Sequence, residues 1–375
     1  MILKLFFYKK KSKLPSQKSV SVVIAARNEA HNLEKILTSI FQQSYQNFEL
    51  IVVNDRSEDN SLKILKKFEV ENPTKNFAVI SIKDKPQNWN GKKYALQKGI
   101  ETAQNEIILL TDADCLPKNK FWIEKMADSF DENTNTVVGI SLYEKSKNPF
   151  LNWFIQNETL ITALQYISFA NIGMAYMGVG RNLAYKKNLF FSQNEKITKP
   201  LLVSPPTTIF KKISSKTGGD DDLIFSEKRF YKNVNICLEG QTKSQAPQTF
   251  QEWIKQKRRH LAVGVQYSFR QKVISSIYPL SIISWYAAIF GFLIQGFYEV
   301  LGFELLRQLF FFSILRIFCN QIQDNSVLVR FIKEKFWKGF LKDFFTRFFG
   351  FEIVFIFYYF VVGMGATFFP PKKWK

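Results

Sequence analysis

The sequence predicts an α/β fold with a mostly parallel central sheet, followed by C-terminal transmembrane helices. Three observations carry that prediction. Strand-like apolar runs alternate with helix-like patterns along the N-terminal third. Polar clusters stand where the strands end. Two uncharged apolar stretches long enough to span a membrane, 274–298 and 353–371, lie beyond Lys272.

The elements follow in order. Residues 19–27 (SVSVVIAAR) form a near-continuous β-branched run, the mark of a strand buried on both faces of a parallel sheet. It ends in Asn28 and Glu29, and Leu33, Ile36, Leu37 and Ile40 then recur at helical spacing. A second strand, 48–53, ends in Asn54, Asp55, Arg56 and Ser57. A helix at 61–68 leads to a third strand at 77–82. Gly91, Lys92 and Lys93 open a helix through Thr102, which returns to the apolar run 105–111. Within that run Ile107, Ile108, Leu109 and Leu110 read as a buried strand. Strand and helix alternation implies parallel pairing with right-handed crossovers. Ligands of such sheets bind outside the carboxyl ends of the strands. Residues 25–29, 54–57 and 112–114 therefore converge on one edge.

Asp112 and Asp114 flank Ala113 where the fourth strand meets solvent. Alternating carboxylates there can offer oxygen to Mg²⁺ or Mn²⁺, hard cations that also reach a diphosphate. Acid-x-acid alone is common in surface turns, so its weight comes from its neighbours. Asp55 reads either as a turn aspartate bonding its own backbone or as a ribose acceptor. Further on, Gly218-Gly219-Asp220-Asp221-Asp222-Leu223 sets three adjacent carboxylates after two glycines. Like charges so close favour a shared proton or a nearby cation. The run is either a calcium-like or merely solvated loop, or it supplies a general base.

Taken in order, these blocks resemble the family-2 glycosyltransferases. The resemblance rests on SVVIAARNEAHNLEKILTSI, FELIVVNDRSEDNS, NGKKYALQKGI, EIILLTDADCLP, GVGRNLAYKK (178–187), GGDDDL (218–223) and QKRRH (256–260), from Ser19 to Val265. It implies a glycosyltransferase A-type nucleotide-binding domain. Ala25, Ala26, Arg27 and Glu29 would line the nucleotide pocket and Asp55 would contact base or ribose. Lys92 would lie near base or phosphates, and Arg181 would join the nucleotide-sugar residues. Asp112 and Asp114 would be the acid-x-acid pair, with Asp114 the more direct metal ligand. The family's base usually follows a Glu and precedes Leu by three positions. That puts the base on Asp220, with Gly219 in place of the Glu, and leaves Asp221 as the alternative one residue on. Gln256–His260 resembles the Gln-x-x-Arg-Trp block of polymerising members, so Gln256 and Arg259 would hold acceptor and diphosphate. His260 replaces the tryptophan, and a stacking platform is lost. Lys257 and Arg258 fit that block or a basic helix face against lipid headgroups equally well.

Composition bounds the partners. Fifty-two Lys and Arg against 32 Asp and Glu give a formal charge of +20, which suits an anionic partner. Without a nucleic-acid module, and with 39 Phe, a membrane surface is the expected one. Three dispersed cysteines suggest neither disulfides nor zinc, in keeping with a reducing cytosol. Residues 149–179 are apolar and aromatic, yet Asn152, Gln156, Asn157, Glu158 and Gln165 argue for a packed helix rather than a lipid-exposed one. Residues 274–298 and 353–371 lack Lys, Arg, Asp and Glu and are long enough to span. Residues 305–319 carry Arg307 and Arg316. Basic residues crowd 255–272 and 330–347, and if both face the cytoplasm the middle segment must cross or loop back. Residues 330–348 read as an amphipathic surface helix. The start (MILKLFFYKKKSK) is too short in its apolar part for a signal peptide, and is an interfacial anchor or a tail.

The expected organisation is a basic segment at 1–18, a catalytic domain at 19–265 and a membrane region at 266–375. Spans are expected near 274–298, 303–321 and 351–370. The expected activity is inverting transfer from a nucleotide sugar, with UDP as carrier and Mg²⁺ or Mn²⁺ as cofactor. The acceptor would be a lipid or lipid-linked glycan at the cytoplasmic face of the inner membrane, with no nucleic-acid partner. The alternatives are a processive polysaccharide synthase and a non-catalytic membrane scaffold.

Overall fold

The computed structural model describes residues 17–191, 208–216, 218–322 and 350–368, without the side chains of 350, 351, 359, 364 and 366–368. The N-terminal segment 1–16, the surface helix expected at 330–348 and the last residues of the third expected span lie outside the described residues.

In chain order the elements are β1 Val20–Ala26, α1 Ala30–Phe41, β2 Phe48–Asp55, α2 Ser61–Glu71, β3 Phe77–Ile82, α3 Gly91–Thr102 and β4 Ile107–Leu110. They continue with β5 Cys115–Pro117, α4 Trp122–Asp128, β6 Thr136–Tyr143, α5 Pro149–Asn171, β7 Leu183–Lys186, α6 Ile209–Lys212, α7 Lys228–Tyr231 and β8 Val234–Ser244. Four further helices are α8 Phe250–Gly264, α9 Phe269–Ile294, α10 Val300–Gln321 and α11 Gly350–Phe368. The chain divides into two compact units. One holds the described residues up to Glu144 together with Gly173–Gln245. The other holds Lys145–Ile172 and the described residues from Ala246 onward.

The first unit carries one eight-stranded sheet in the order β3-β2-β1-β4-β7-β6-β8-β5. Its first four strands are parallel, as their alternation with helices predicts. β7 then enters antiparallel between β4 and β6, β6 and β8 pair in parallel, and β5 closes the edge antiparallel to β8. The unbroken β-branched run of β1 has a direct cause. Val20, Val22, Ile24 and Ala26 pack into the core with Leu33, Ile36, Leu37 and Ile40 of α1. On the other face α3 lies so near that a Cβ on Gly99 would meet Val23 Cγ1 at 2.5 Å. Both faces are covered, so alternation of polar and apolar residues disappears. Register sets Ala26 beside Asn54 and Val23 beside Leu110, and the residues after β1, β2 and β4 open on one edge.

In the second unit, Asn148 caps α5 by accepting Leu151 N–H at 2.9 Å, with Pro149 in the first turn. Lys257 of α8 and Glu158 of α5 form a buried ion pair at 2.5 Å, so Lys257 does not face lipid headgroups. Tyr358 of α11 packs on Phe154 and Trp253, with ring centroids 5.5 and 5.2 Å away. A Ser268–Gln271 capping box starts α9 five residues before the expected span, and Gly296 at φ 83° follows its end at Ile294. Among the described residues, α9 is the one helix long and apolar enough to cross a membrane. Val273, Ile277, Leu280 and Phe290 are exposed along it. α10 and α11 bring Glu304, Arg307 and Glu352 into contact with α9. Arg307 Nε donates to Glu304 Oε2 at 2.8 Å and its Nη2 pairs with Glu352. Tyr286 Oη donates to Glu352 Oε2 at 2.7 Å, Trp285 Nε1 to Glu304 Oε2 at 2.6 Å.

Candidate functional site

The candidate site gathers at the carboxyl edge of the first unit's sheet. Lys92, in the first turn of α3, reaches Asp112 Oδ1 at 2.8 Å and Asp220 Oδ2 at 3.0 Å. One ammonium thereby joins the acid-x-acid turn to the carboxylate run 108 residues further along. Burial alone would depress Lys92, but Asp112, Asp220 and Asp221 overcome it and hold the ammonium well above its ordinary range. Asp220 is buried. Asp221 accepts Gly180 N–H at 2.7 Å and Asp222 N–H at 3.0 Å. Burial, then Asp220 beside it, pushes the Asp221 carboxyl up to about 6.

The residues after β1 and β2 are laced into one surface. Asn28 N–H donates to Ser57 Oγ at 3.0 Å, Glu58 N–H to Asn28 Oδ1 at 2.8 Å, and Ala30 N–H to Asp59 Oδ2 at 3.0 Å. Ala26 is buried in the core, so toward the edge it can offer only backbone, while Ala25 is half-buried and Arg27 exposed. Glu29 is buried and accepts Asn32 Nδ2 at 2.8 Å. Asp55 is buried and accepts Arg56 Nε at 2.8 Å. A Cβ on Gly91 would meet Asp55 Oδ2 at 2.5 Å and Arg56 Nη2 at 2.8 Å, so any side chain there would push the ends of both aside. Arg56 Nη2 and Asn54 Oδ1 are buried with no hydrogen-bond partner among the described residues, a donor and an acceptor suited to a ligand. Sequence reasoning missed Arg56. Its signal was its place, with Asp55, in the polar end of β2.

Arg181 packs behind the acid-x-acid turn. Its Nη1 donates to Ser244 Oγ at 2.7 Å, and its guanidinium stacks on Tyr143, 4.4 Å from the ring centroid. Its carbonyl accepts from Thr111 and Thr242, each at 3.1 Å. Tyr143 and Ser244 carry no local sequence signal, since distant strands bring them together.

Asp112, Asp114 and Cys115 offer ligand atoms within 4.8 Å of one another. Burial, then Asp114 and Asp112, raises the Cys115 thiol well above its ordinary range. The Cys115 S–H donates to Asp114 Oδ1 at 3.2 Å. The two carboxylates are hard oxygen donors, a set that fits Mg²⁺ or Mn²⁺ completed by water or phosphate oxygen.

Residues 21–194 match the model of glycosyl transferase family 2. That match bears out the resemblance of the motif blocks to the family-2 glycosyltransferases. Among curated relatives, glycosyltransferase AglE of Haloferax volcanii is 29% identical over 177 residues, 47% of this chain and 53% of AglE. The 4,4'-diaponeurosporenoate glycosyltransferase of Staphylococcus haemolyticus is 32% identical over 126 residues, 34% of this chain and 32% of that enzyme. The chain thus spans from a third to about half of these relatives. Among solved structures, the mannosyltransferase PcManGT from Pyrobaculum calidifontis, in complex with GDP-Man and Mn²⁺, has a TM-score of 0.52 at 14% identity, covering 87% of this chain and 94% of its own. The likeness shows a shared glycosyltransferase A-type fold.

Of the residues singled out in the sequence, Lys92, Asp112, Asp220 and Asp221 come together, with Asp114 and Arg181 beside Asp112. Asp55 meets Gly91 at the start of the same helix. Gln256 and Arg259 lie on α8 in the second unit, and a part for them in donor binding rests on the resemblance of 256–260 alone.

Proposed function

We propose that this chain is a membrane-anchored, metal-dependent inverting glycosyltransferase of family 2. It would take a nucleotide diphosphate sugar, with UDP as carrier, and glycosylate a lipid or lipid-linked glycan at the cytoplasmic membrane face. The observation that carries the reading is Lys92 bridging Asp112 and Asp220. A nucleotide-binding edge and a general base need such a junction, and a solvated loop does not.

In this reading Asp220 takes the proton of the acceptor hydroxyl, whose oxygen attacks the anomeric carbon. The bond from that carbon to the diphosphate breaks, and the diphosphate leaves with the electron pair. Lys92 shifts its charge toward the diphosphate as the donor binds, and so releases Asp220 to act as base. Asp55 and Arg56 hold base or ribose, and Asp221 keeps the 178–182 loop in place. Asp112 and Asp114 would hold Mg²⁺ or Mn²⁺, which supplies charge neutralisation for the leaving group. The exposed apolar side chains of α9 support lipid anchoring and a lipid-borne acceptor.

The test is nucleotide release from a panel of UDP- and GDP-sugars, using detergent-solubilised protein with native lipid extract. Mn²⁺ and EDTA arms are compared, with Asp114→Ala as control. Release from one donor that needs metal, lipid and Asp114 is the expected result. Transfer to water-soluble acceptors alone would remove the lipid acceptor. No release from any donor, with Mn²⁺ binding intact by titration calorimetry, would remove the catalytic reading.

A further inference from the structure

Lys93 is fully buried, next to the lysine that joins Asp112 to Asp220, yet its hydrogen bonds go to backbone carbonyls. Its ammonium donates to the carbonyls of Ile213 at 3.0 Å and Lys216 at 2.7 Å. Asn90 N–H, at the cap of the same helix, donates to Ser214 O at 2.8 Å. Three hydrogen bonds thus tie the first turn of α3 to residues 213–216, which precede Asp220 by four to seven positions. Gly218 and Gly219 follow in the left-handed region, at φ 71° and 68°, and turn the chain so that Asp220 comes back to Lys92.

A buried ammonium is costly unless it is fully hydrogen-bonded. Burial depresses Lys93 to about 8, with Asp220 and Asp221 opposing and Lys216 and Lys92 adding to the fall. A leucine or methionine would fill the same space without that cost, so the amine is explained by what it holds.

We propose that Lys93 is a positioning residue: by clamping the Ile213 and Lys216 carbonyls to α3 it fixes the backbone that presents Asp220 to Lys92. The catalytic consequence rests on the function proposed above, whereas the clamp itself does not. Lys92 and Lys93 then divide the work, one holding the reacting groups and the other the loop that delivers one of them.

The experiment compares full-length wild type, Lys93→Met and Asn90→Pro in detergent. Asn90 has φ −70°, which proline accepts, so the second variant removes the neighbouring bond to Ser214 alone, with no change in buried charge, and is expected to show the same change in a smaller degree. Hydrogen exchange of the amides in 218–223 is measured beside that of β1 and β2, together with kcat and donor KM. The expected result for Lys93→Met is at least tenfold faster exchange in 218–223, unchanged β1 and β2, and kcat down at least tenfold with donor KM within threefold. Unchanged exchange in 218–223 in folded Lys93→Met would overturn the clamp. Faster exchange with kcat unchanged would overturn its catalytic role. If wild type turns over no donor, the function reading fails, and the exchange data still decide the clamp.

Discussion

Asp221 accepts the backbone N–H of Gly180 at 2.7 Å, and a Cβ on Gly180 would lie 3.2 Å from Asp221 Cβ. The neighbouring carboxylate, Asp220, instead faces Lys92. Adjacent residues of one acidic run therefore do different work, one bracing a glycine loop and the other meeting the cation of the site. Replacing each by asparagine separates the roles. Asp220→Asn removes the proposed base and is expected to lower kcat by about 10²–10⁴-fold. Asp221→Asn keeps an oxygen for Gly180 and should lower it by about tenfold or less. Steady-state kinetics of both variants on the identified donor checks this. A larger loss at Asp221 would move the base there.

Asp221 also makes a pH prediction. Its folded carboxyl titrates near 6, against about 3.9 in an unfolded chain. Between those values the native state keeps a proton that the unfolded chain has released. The stabilisation is full below about pH 4 and is lost as pH rises through 6. Because Asp221 is only half-buried by surface area, the effect is on the order of 1–2 kcal/mol. Thermal unfolding of wild type and Asp221→Asn from pH 4.5 to 7.5 should show the variant gaining relative to wild type as pH rises. A constant difference would refute it.

The parallel half of the sheet was legible because it is local. β1 spells its double burial in β-branched residues, and β1, β2 and β3 are each followed by a helix. The acid-x-acid turn was legible for the same reason, as a polar cluster at a strand end. β7 was not, since four residues (LAYK) gain their strand identity only from insertion between β4 and β6. The second unit's ion pairs were hidden by distance. Lys257 meets Glu158 across 99 positions and Arg307 meets Glu352 across 45. Only Glu304, three residues before Arg307, lay within the reach of helical spacing.

Gly91 is the tightest point of the proposed nucleotide edge. A methyl group there would collide with Asp55 Oδ2 and Arg56 Nη2 at 2.5 and 2.8 Å, so the Asp55–Arg56 pair must move for Gly91→Ala to fold. Those two side chains would meet base or ribose, and not the transferred sugar. The variant should therefore raise the Kd of the free nucleotide by about tenfold, equivalent to about 1.4 kcal/mol, and should leave Mn²⁺ affinity near wild type. Titration calorimetry with nucleotide and with Mn²⁺ tells the two apart. Unchanged nucleotide affinity would remove Asp55 and Arg56 from the site.

Arg307 lies between two carboxylates in the contact of α9, α10 and α11. It bonds Glu304 at 2.8 and 2.9 Å and pairs with Glu352, while Gln308 Nε2 donates to each glutamate at 2.8 Å. Glu304 and Glu352 are nearly buried, whereas the Arg307 side chain is 25% exposed. Removing the cation alone leaves two carboxylates facing one another in apolar surroundings, which in a buried pair costs about 3–5 kcal/mol. The partial exposure of Arg307 argues for the lower end of that range. Arg307→Met should accordingly unfold the helices several degrees early. Arg307→Met combined with Glu304→Gln and Glu352→Gln should recover most of the loss, because amides carry no charge and still accept from Trp285 and Tyr286. Thermal unfolding in one detergent across the series measures both effects. If the triple variant is no better than the single one, the helices are held by specific ion-pair geometry, and not by the need to neutralise two buried carboxylates.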